Sequence, residues 1–574
     1  MIAPAAPPQW TLHPRRDPDR AAALALELGA PLPAAHALVN RGVGTAAAAR
    51  AFLGASADDL HDPSLLTDLD LAVDRMRRAI AAGEGILVHG DYDVDGITST
   101  FVMVSALREL GGRVAWRIPH RTRDGYGLTR DAMEDARRRG CSLVVTVDCG
   151  ITAHAAVEHG RALGIETVVT DHHEPPAVLP GALAVVNPLR PGCPYPFKSL
   201  AGVGVAFKVA EALLRERGGL ERALPFLDVV ALGTIADVVP LKGENRILAR
   251  LGLERLNRTP RLGLRALAEV AGLANRPITS GQVAFVLAPR INAAGRMGNA
   301  EQGLRLLLAR DASEARDLAA SLEEDNQRRR RFDEEALAEA TQAVEHELSW
   351  PDCASILLWS ERWHAGVIGI VASRLVERFQ RPVVLVALDG ERGRGSGRSV
   401  PGLDLNALLG RCDDLLEAHG GHAFAAGLTV RREHLPALRE RLERLVREKL
   451  SPETCVPRLE IDADTRLGEC DLPLVDWLER LSPHGLDNAE PLFRAEHVMV
   501  DSVTTVGQGR HLRMTVRDHT GVAEAIGFGL GELAREVAQA RACDLAFVPT
   551  RNAWMGEQRV QLKVRGVRTP PAVS

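Results

Sequence analysis

Short apolar runs alternate with longer helical segments in the first half of the chain. GILVHG at 85–90, RVAWRIP at 113–119, CSLVVTVD at 141–148 and IETVVTD at 165–171 are four such runs, and the helical segment ITSTFVMVSALREL follows the first. Strands that alternate with helices predict βαβ units and a parallel sheet. Three of the runs lead into the polar clusters HGDYDVDG, DCG and DHHEPP. Because an open α/β sheet binds ligands at the carboxyl ends of its strands, we expect these clusters to meet.

The second half of the chain is organised differently. Residues 312–348 contain neither Gly nor Pro and are rich in helix formers, which predicts one long helix between two domains. After it, SILLWS, PVVLVAL and AAGLTV predict strands of a second α/β unit, and short strands from about Val456 predict a small β-barrel with one helix. The expected divisions are a helical lead-in without assigned chemistry at 1–80, an α/β domain at 81–310, a connecting helix at 311–348, a second α/β domain at 349–450 and the barrel at 456–570.

Composition and charge exclude several classes of protein. The 574 residues are 46% hydrophobic and 25% charged, which excludes collagen-like, low-complexity and wholly disordered chains. No uncharged apolar run approaches the roughly 20 residues of a membrane helix, so we expect no membrane span. The eight cysteines form no CxxC pair, which argues against a disulfide framework and favours a reducing cytoplasm. With a net charge of −5, any surface for nucleic acid must be local.

The densest group of chemically active residues is HGDYDVDG, at His89–Gly96. Its three carboxylates repel one another unless they are solvated or bound to cations. A calcium loop of the EF-hand type is disfavoured because its twelfth position would be Val102 instead of a glutamate, and because a strand precedes it. A solvated acidic turn is the remaining structural alternative.

Further potential ligands follow the later strands. Asp148 follows LVVTV, the triplet Asp171, His172 and His173 follows TVVT, and Asp237 is an acid within the apolar run FLDVVALGTIADVVP. The combined set of carboxylates and histidines is too rich in oxygen for structural zinc and suits Mn²⁺ or Mg²⁺. Two such ions activate a water and neutralise charge on a phosphoryl oxygen, which points to hydrolysis of a phosphate ester or anhydride.

Eight sequence motifs resemble those of a known family. HGDYDVDG, VDCG, DHH and ADVVPL resemble, in this order, the four motifs of the DHH phosphoesterases. APRINAAGRM, WHAGVIGIVASRL, GSGRS and AHGGHAFAAG resemble the RecJ branch of that family. The resemblance implies an α/β multidomain fold with a parallel-sheet DHH domain, a long connecting helix, an α/β DHH-associated domain and a C-terminal OB-fold β-barrel. It also implies a single-strand-specific 5′→3′ exodeoxyribonuclease that releases 5′-mononucleotides in DNA repair and recombination.

The resemblance further implies two Mn²⁺ or Mg²⁺ ions bridged by Asp148. The implied ligands are His89, Asp93 and Asp148 for one ion, and Asp95, Asp148, His172 and Asp237 for the other. Asp91 is implied to orient a ligand from outside this set. His173 is implied to face the scissile phosphate, which adds it to the catalytic residues Asp93, Asp95, Asp148, His172 and Asp237.

An enzyme that starts at a 5′ end needs donors for the terminal phosphate, and the N–H groups of arginine suit that task. The candidates for substrate binding are Arg121, Arg290, Asn292, Arg296, Ser396, Arg398 and His422. Without the resemblance, GSGRS is more often a plain loop, and a satisfied core or loop histidine remains an alternative for His422. RRRRF at 328–332 is expected either to follow the DNA backbone or to solvate a helix face. Stacking and phosphate candidates in the barrel are His511, Phe528, Trp554 and Arg559.

One segment departs from the family pattern. Where RecJ proteins commonly have PFGxGNPxPxF, this chain has PHGLDNAEPLF at 483–493. His484, Asp487 and Ala489 replace a Phe, a Gly and a Pro of the pattern. The family's backbone shape in this loop is therefore not implied for this chain.

Other functions compatible with the same metal site remain open. A short-oligonucleotide or cyclic-dinucleotide phosphodiesterase, or a manganese pyrophosphatase, belongs to the same superfamily but lacks the OB-fold. A non-catalytic single-strand-binding scaffold would be expected to have lost ligands, and all of the implied ligands are present. The resemblance alone suggests a helicase and a single-strand-binding protein as partners, besides single-stranded DNA.

Overall fold

The computed structural model describes residues 8–121, 123–348, 350–450, 456–554 and 557–570. The chain forms two compact units. The larger unit comprises Trp10–Pro119, Tyr126–Ala288 and Leu459–Ser574. The smaller unit comprises Met1–Gln9, His120–Gly125 and Pro289–Arg458.

The N-terminal segment contains a short strand and four helices. Asp17 accepts a hydrogen bond from the Arg20 N–H and so caps the first helix, which ends at Gly29 in the left-handed conformation. The elements are β1 (Gln9–Leu12), α1 (Pro18–Leu28), α2 (Leu32–Asn40), α3 (Ala46–Gly54) and α4 (Leu69–Ala81). No single helix among the described residues is long and apolar enough to cross a membrane, although α1 and α2, bent by 119°, pass that test as a pair.

A five-stranded parallel sheet follows, as the sequence predicts. Its strands are β2 (Gly85–His89), β3 (Arg113–Arg117), β4 (Cys141–Val147), β5 (Glu166–Thr170) and β6 (Ala184–Val186). The strand order is β3-β2-β4-β5-β6. Every residue of β2 is buried, and β4 is buried at all but one position, because helices pack against the sheet. Burial on both faces explains why these strands are apolar without alternation.

The helices around this sheet position several functional residues. Helix α10 is apolar on all sides and buried at every position from Leu227 to Ile235, so its sequence gives no helical period. The helices are α5 (Val94–Glu109), α6 (Arg130–Arg138), α7 (His154–Ala162), α8 (Gly202–Leu213), α9 (Leu220–Ala223), α10 (Leu227–Ala236), α11 (Gly243–Leu256), α12 (Leu262–Val270) and α13 (Ser280–Gln282).

The smaller unit contains the predicted long helix and a mixed sheet. Its helices are α14 (Ala288–Met297), α15 (Glu301–Leu308), α16 (Ala312–Glu347), α17 (Ile368–Phe379), α18 (Leu405–Gly410) and α19 (Leu435–Arg447). Its strands are β7 (Ile356–Ser360), β8 (Val383–Asp389), β9 (Arg392–Arg398), β10 (Leu416–Gly421) and β11 (Ala425–Arg431), in the order β10-β11-β9-β8-β7. The GSGRS motif begins in β9, so its interpretation as a plain loop is wrong. Its glycines face large side chains: a Cβ on Gly395 would lie 2.6 Å from the Leu428 Cδ1.

The C-terminal part of the larger unit is a closed barrel of five strands. Its elements are β12 (Arg458–Ile461), β13 (Ala463–Asp464), α20 (Leu472–Arg480), β14 (Phe493–Val506), β15 (His511–Arg517), β16 (Val522–Gly527), α21 (Ala534–Ala540), β17 (Ala542–Trp554) and β18 (Glu557–Arg568). The order β14-β15-β16-β18-β17 is closed by pairing of β14 with β17. The predicted barrel is confirmed, but it contains a second helix, α21, that the sequence interpretation missed. Leu24 and Leu38 of the N-terminal helices share one core with Phe493 and Phe547 of the barrel.

Candidate metal centre

The polar clusters predicted at the strand ends lie together in the larger unit. His89 is the last residue of β2, while Asp148 and Asp171 directly follow β4 and β5. Helix α5 adds Asp93 as its N-cap residue and Asp95 in its first turn. Potential ligand atoms lie within 4.8 Å of one another in three overlapping groups: Asp148, His172 and His173; Asp95, His172 and Asp237; and Asp91, Asp93 and Asp148.

Backbone amides and a glycine hold two of these carboxylates in place. The Asp95 carboxylate accepts hydrogen bonds from the N–H groups of Gly202 at 2.6 Å and Val203 at 2.8 Å, at the start of α8. Asp148 has φ +60, a left-handed conformation that aspartate tolerates better than most residues. A Cβ on Gly202 would lie 2.5 Å from the Asp148 Oδ1, so only glycine fits there. The N-terminus of α8 thus fixes one carboxylate and leaves room for the other.

His172 is oriented as a ligand. Its Nδ1 donates to the Leu200 carbonyl at 3.1 Å, which makes Nε2 the unprotonated nitrogen. That Nε2 lies 3.1 Å from the Asp148 Oδ1 and 3.8 Å from both the Asp95 Oδ2 and the Asp237 Oδ2. Burial and the neighbouring His173 lower the pKa of His172 to about 4, so the ring is neutral at physiological pH. A nitrogen lone pair therefore faces three carboxylates.

These donors fit divalent cations. Among the described residues, the buried Asp148 Oδ1, Asp237 Oδ2 and His172 Nε2 have no hydrogen-bond partner. Burial and repulsion from neighbouring carboxylates raise the pKa of Asp95 to about 7 and hold the pKa values of Asp148 and Asp237 well above the usual range. A divalent cation would satisfy these atoms and offset the repulsion. An oxygen-rich set with one or two imidazoles suits Mn²⁺ or Mg²⁺.

His89 and Asp91 lie beside this group. The His89 Nε2 donates to the Gly127 carbonyl at 3.2 Å, so its Nδ1 is the unprotonated nitrogen. Asp91 belongs to one of the three groups within 4.8 Å, alongside Asp93 and Asp148. Its carboxylate is therefore close enough to share a cation with them. The role implied for it by the resemblance, outside the ligand set, stays a prediction.

Asp171 supports His173 instead of joining the ligands, contrary to the expectation that it supplies an oxygen ligand. The fully buried carboxylate accepts from the His173 Nδ1 at 2.7 Å and from the N–H groups of Ile151 and His172 at 2.9 and 2.7 Å. Burial opposes protonation of His173, but the bond to Asp171 outweighs it and raises the pKa of His173. The Tyr126 hydroxyl lies 3.2 Å from the His173 Nδ1. Tyr126 was not predicted as a site residue from the sequence, although it lies five positions after the candidate Arg121.

The smaller unit contains an arrangement suited to a phosphate group. Arg398 donates to the Ser396 Oγ at 3.2 Å, and both side chains lie against Gly369 in the first turn of α17. A Cβ on Gly369 would lie 2.9 Å from the Ser396 Oγ and 3.1 Å from the Arg398 Nη2. Burial and the nearby Arg121 lower the pKa of Arg398. Two guanidinium groups, a hydroxyl and a helix N-terminus together favour an anion.

The other predicted substrate residues have different surroundings. The Arg290 Nε lies 2.6 Å from Glu323, so this arginine is held in a largely buried ion pair. Arg296 donates to the Gly366 carbonyl at 2.8 Å, and Asn292 lies on the same helix, α14. His422 is exposed between β10 and β11. The phosphate roles of these four residues stay predictions.

The arginines of RRRRF differ in exposure, and the choice between the two alternatives for the segment stays a prediction. Arg328 and Arg330 are exposed on α16, whereas Arg329 is 9% exposed and packs beside Asp333. Phe332 stacks on His364 with 5.3 Å between ring centroids. The segment therefore presents only part of its charge to solvent.

The barrel has a cleft lined by both charged and apolar side chains. The cleft has a volume of 1290 Å³, and its lining includes Arg513, Arg559 and Gln561. Phe528 is 58% exposed and packs edge to face on His511. The side chain of Trp554 lies outside the described residues. Surfaces of this kind suit the backbone and bases of a single strand.

Comparison with known proteins gives matches along the chain. The model of the DHH family N-terminal domain matches residues 85–234, the DHHA1 domain model matches 353–448, and the RecJ OB domain model matches 461–566. The single-stranded-DNA-specific exonuclease RecJ of Bacillus subtilis (strain 168) is 39% identical over 562 residues, covering 97% of this chain and 70% of that protein.

Solved structures are similar over nearly the whole chain. RecJ from Thermus thermophilus in complex with Mn²⁺ has a TM-score of 0.84 and 34% identity, covering 98% of this chain and 80% of that one. The same enzyme in complex with Mg²⁺ has a TM-score of 0.78 and 32% identity, covering 98% of this chain and 79% of that one. Both ions are therefore known in proteins that share this fold.

Proposed function

Because the chain belongs to the RecJ family of single-stranded-DNA-specific exonucleases, we propose that it removes nucleotides from the 5′ end of single-stranded DNA at the candidate metal centre. It is a metal-dependent hydrolase of single-stranded DNA, as the relatives' names and the metal-bound structures indicate. The observation that carries this is the lone pair of the His172 Nε2, which faces the buried carboxylates of Asp95 and Asp148 and the partly buried carboxylate of Asp237. A divalent cation would satisfy these groups and offset the repulsion among the carboxylates.

The residues divide into metal ligands and groups that contact the phosphate. The proposed ligands are His89, Asp93 and Asp148 for one ion and Asp95, Asp148, His172 and Asp237 for the other. When bound, two divalent cations supply an activated water and neutralise charge on the phosphoryl oxygens. Asp171 holds a proton on the His173 Nδ1 and raises its pKa, so the ring can donate from Nε2 to a phosphate oxygen.

The choice of the 5′ end rests on the smaller unit. Arg398, Ser396 and the N-terminus of α17 offer several donors within one small region, and Arg121 adds a second positive charge. A terminal phosphate carries more negative charge than an internal diester and gains more from such a pocket. We therefore propose that this pocket selects strands with a 5′-phosphate.

Strand length separates this function from the superfamily alternatives. The OB domain match at 461–566 and the cleft of the barrel favour a long strand over a dinucleotide or pyrophosphate. The test uses a single strand of about 40 nucleotides, more than two OB-fold footprints, labelled at either end and incubated with Mn²⁺ beside a duplex and a dinucleotide. Early release of the 5′ label from the single strand alone supports the proposal. Turnover confined to the dinucleotide would refute it, and binding without turnover would indicate a scaffold.

The cellular setting follows from the same proposal. We propose action in DNA repair and recombination in the cytoplasm, with a helicase to supply single strands and a single-strand-binding protein to present them. The seven described cysteines are free thiols, as is usual in a reducing compartment. Adding a purified single-strand-binding protein to the strand-degradation assay should raise the rate on long strands. An unchanged rate at every ratio of the two proteins would argue against that partner.

A further inference from the structure

The loop that carries Asp237 depends on contacts made after it. Asp237 ends helix α10, and the next residue, Val238, has φ +61 and is 64% exposed. A β-branched residue is strained in the left-handed region and persists there only where its surroundings impose it. The direction of the Asp237 carboxylate therefore depends on what fixes the residues that follow Val238.

A turn in the C-terminal part of the larger unit makes that contact. We name Gly485, Leu486 and Asp487 the 485–487 turn. The Leu241 N–H donates to the Leu486 carbonyl at 2.8 Å, and the Lys242 Nζ donates to the Asp487 Oδ2 at 2.5 Å. A Cβ on Gly485 would lie 2.6 Å from the Leu241 Cδ1, and Leu241 is only 2% exposed. The turn thus touches two residues within five positions of Asp237.

The 485–487 turn is itself anchored to other elements. Gly485 and Asn488 exchange two backbone hydrogen bonds, at 3.0 and 3.1 Å. The Asn488 side chain is 1% exposed, donates to the Leu481 and Pro483 carbonyls at 2.9 and 2.8 Å, and accepts from the Arg41 Nε at 2.9 Å. These partners lie in the barrel segment and the N-terminal helices. The turn is therefore fixed by contacts that do not involve the Asp237 loop, and it can restrict the position of that loop.

The same loop is also linked to the segment that orients His172. Asn245, fully buried, donates from Nδ2 to the Pro240 carbonyl at 3.2 Å and to the Ser199 carbonyl. The next residue, Leu200, accepts the hydrogen bond from the His172 Nδ1. A displacement of the Asp237 loop would therefore change the positions of two expected metal ligands, Asp237 and His172.

Asp487 occupies a position where the RecJ pattern has glycine. Its φ is +58, a left-handed conformation that aspartate accepts at lower cost than most residues. The replacement keeps a residue able to adopt this turn, and it adds a carboxylate that pairs with Lys242. The departure from the pattern therefore strengthens the contact between the turn and the Asp237 loop.

We propose that the 485–487 turn positions Asp237 for metal binding, with Gly485 and Asp487 as the positioning residues. The barrel segment then contributes to the metal centre as well as to strand binding. The inference rests on the proposed function only in taking Asp237 as a metal ligand.

The test measures Mn²⁺ affinity of the full chain by electron paramagnetic resonance of free Mn²⁺, without nucleic acid. Asp487→Asn keeps a residue that tolerates the turn and removes the charge, and we expect Mn²⁺ binding weaker by about two- to fivefold. Gly485→Val forces Leu241 to move, and we expect a loss of about tenfold or more. The matched control is Asp501→Asn, which breaks the exposed barrel pair with Arg517 and should leave the affinity unchanged.

A double-mutant cycle separates positioning from general destabilisation. If Asp487 acts through Lys242, Asp487→Asn should add no further loss in a Lys242→Met background. Wild-type Mn²⁺ affinity in both Asp487→Asn and Gly485→Val, with or without a lower Tm, would overturn the proposal and leave the turn a structural element. If Gly485→Val does not fold, the Asp487 cycle decides alone. Because no DNA is present, failure here is distinct from failure of the proposed nuclease activity.

Discussion

Replacing Asp148 with asparagine should change stability in opposite directions with and without metal. The substitution keeps the shape of the side chain and removes its charge. Asp148 is 3% exposed, and its ligand oxygen lies within 4.8 Å of those of Asp91 and Asp93. Two charges at that separation repel by about 3 kcal/mol at an effective dielectric constant of about 20. Because burial and the neighbouring carboxylates raise the pKa of Asp148, part of this repulsion is already relieved by protonation.

We therefore expect Asp148→Asn to stabilise the metal-free protein by about 1–3 kcal/mol. For a domain of about 150–250 residues this corresponds to a rise in Tm of roughly 2–10 °C, measured by circular dichroism in EDTA at pH 8. In saturating Mn²⁺ the wild type should gain stability and the variant should gain much less, because the variant lacks the proposed bridging ligand.

A buried carboxylate outside the site provides the control. Asp135 is 8% exposed and pairs with Arg117, Arg138 and Arg139, so Asp135→Asn should lower the Tm in EDTA and in Mn²⁺ alike. An Asp148→Asn variant that is less stable than the wild type in EDTA, or that gains equally from Mn²⁺, would refute the reasoning.

Four further predictions concern Asp171, Arg398, Arg559 and His484. Asp171→Asn should reduce kcat for DNA hydrolysis at least about tenfold through loss of the His173 orientation, while Mn²⁺ affinity stays within about twofold; a normal kcat would contradict this. Arg398→Ala should abolish the preference for 5′-phosphorylated over 5′-hydroxyl strands in a competition assay, and a retained preference would move the pocket elsewhere. Arg559→Ala should lower the number of counterions released on binding to long strands by about one without changing dinucleotide hydrolysis. An unchanged dependence of affinity on salt concentration would mean that Arg559 does not contact the strand. Burial lowers the pKa of His484 from 6.5 to about 4, so the free energy of unfolding should fall by up to about 3 kcal/mol as the pH decreases through that range. His484→Phe should reduce this dependence of stability on pH. Urea titrations in which the wild type and the variant lose equal stability over the range would contradict the prediction.

The catalytic sheet could be predicted because its strands are buried on both faces and end in polar clusters. That pattern is local, and it led directly to His89, Asp148 and the triplet at Asp171. Helix α10 could not be recognised from periodicity, because its burial on all sides removes the contrast between an apolar and a polar face. Asp237 was found as an acid within an apolar run and through its motif, without any helical period.

The sequence could not show whether Asp171 binds metal or orients His173, because an aspartate can do either. The backbone amides of Ile151 and His172 and the ring of His173 decide it, and these contacts exist only in the folded chain. The pairing of Lys242 with Asp487 spans 245 positions and has no local signature. The N-terminal helices gave no chemical signal because their apolar residues complete the core of the barrel.

We propose that Asp148 and its neighbours form the metal-dependent nuclease centre for single-stranded DNA. The most direct measurement compares wild type and Asp148→Asn on a 5′-labelled single strand in saturating Mn²⁺, with strand binding measured on the same preparations. We expect release of labelled mononucleotide by the wild type, none by the variant, and similar strand binding by both. Turnover by the variant at the wild-type rate, or an intact strand after incubation with the wild type, would contradict it.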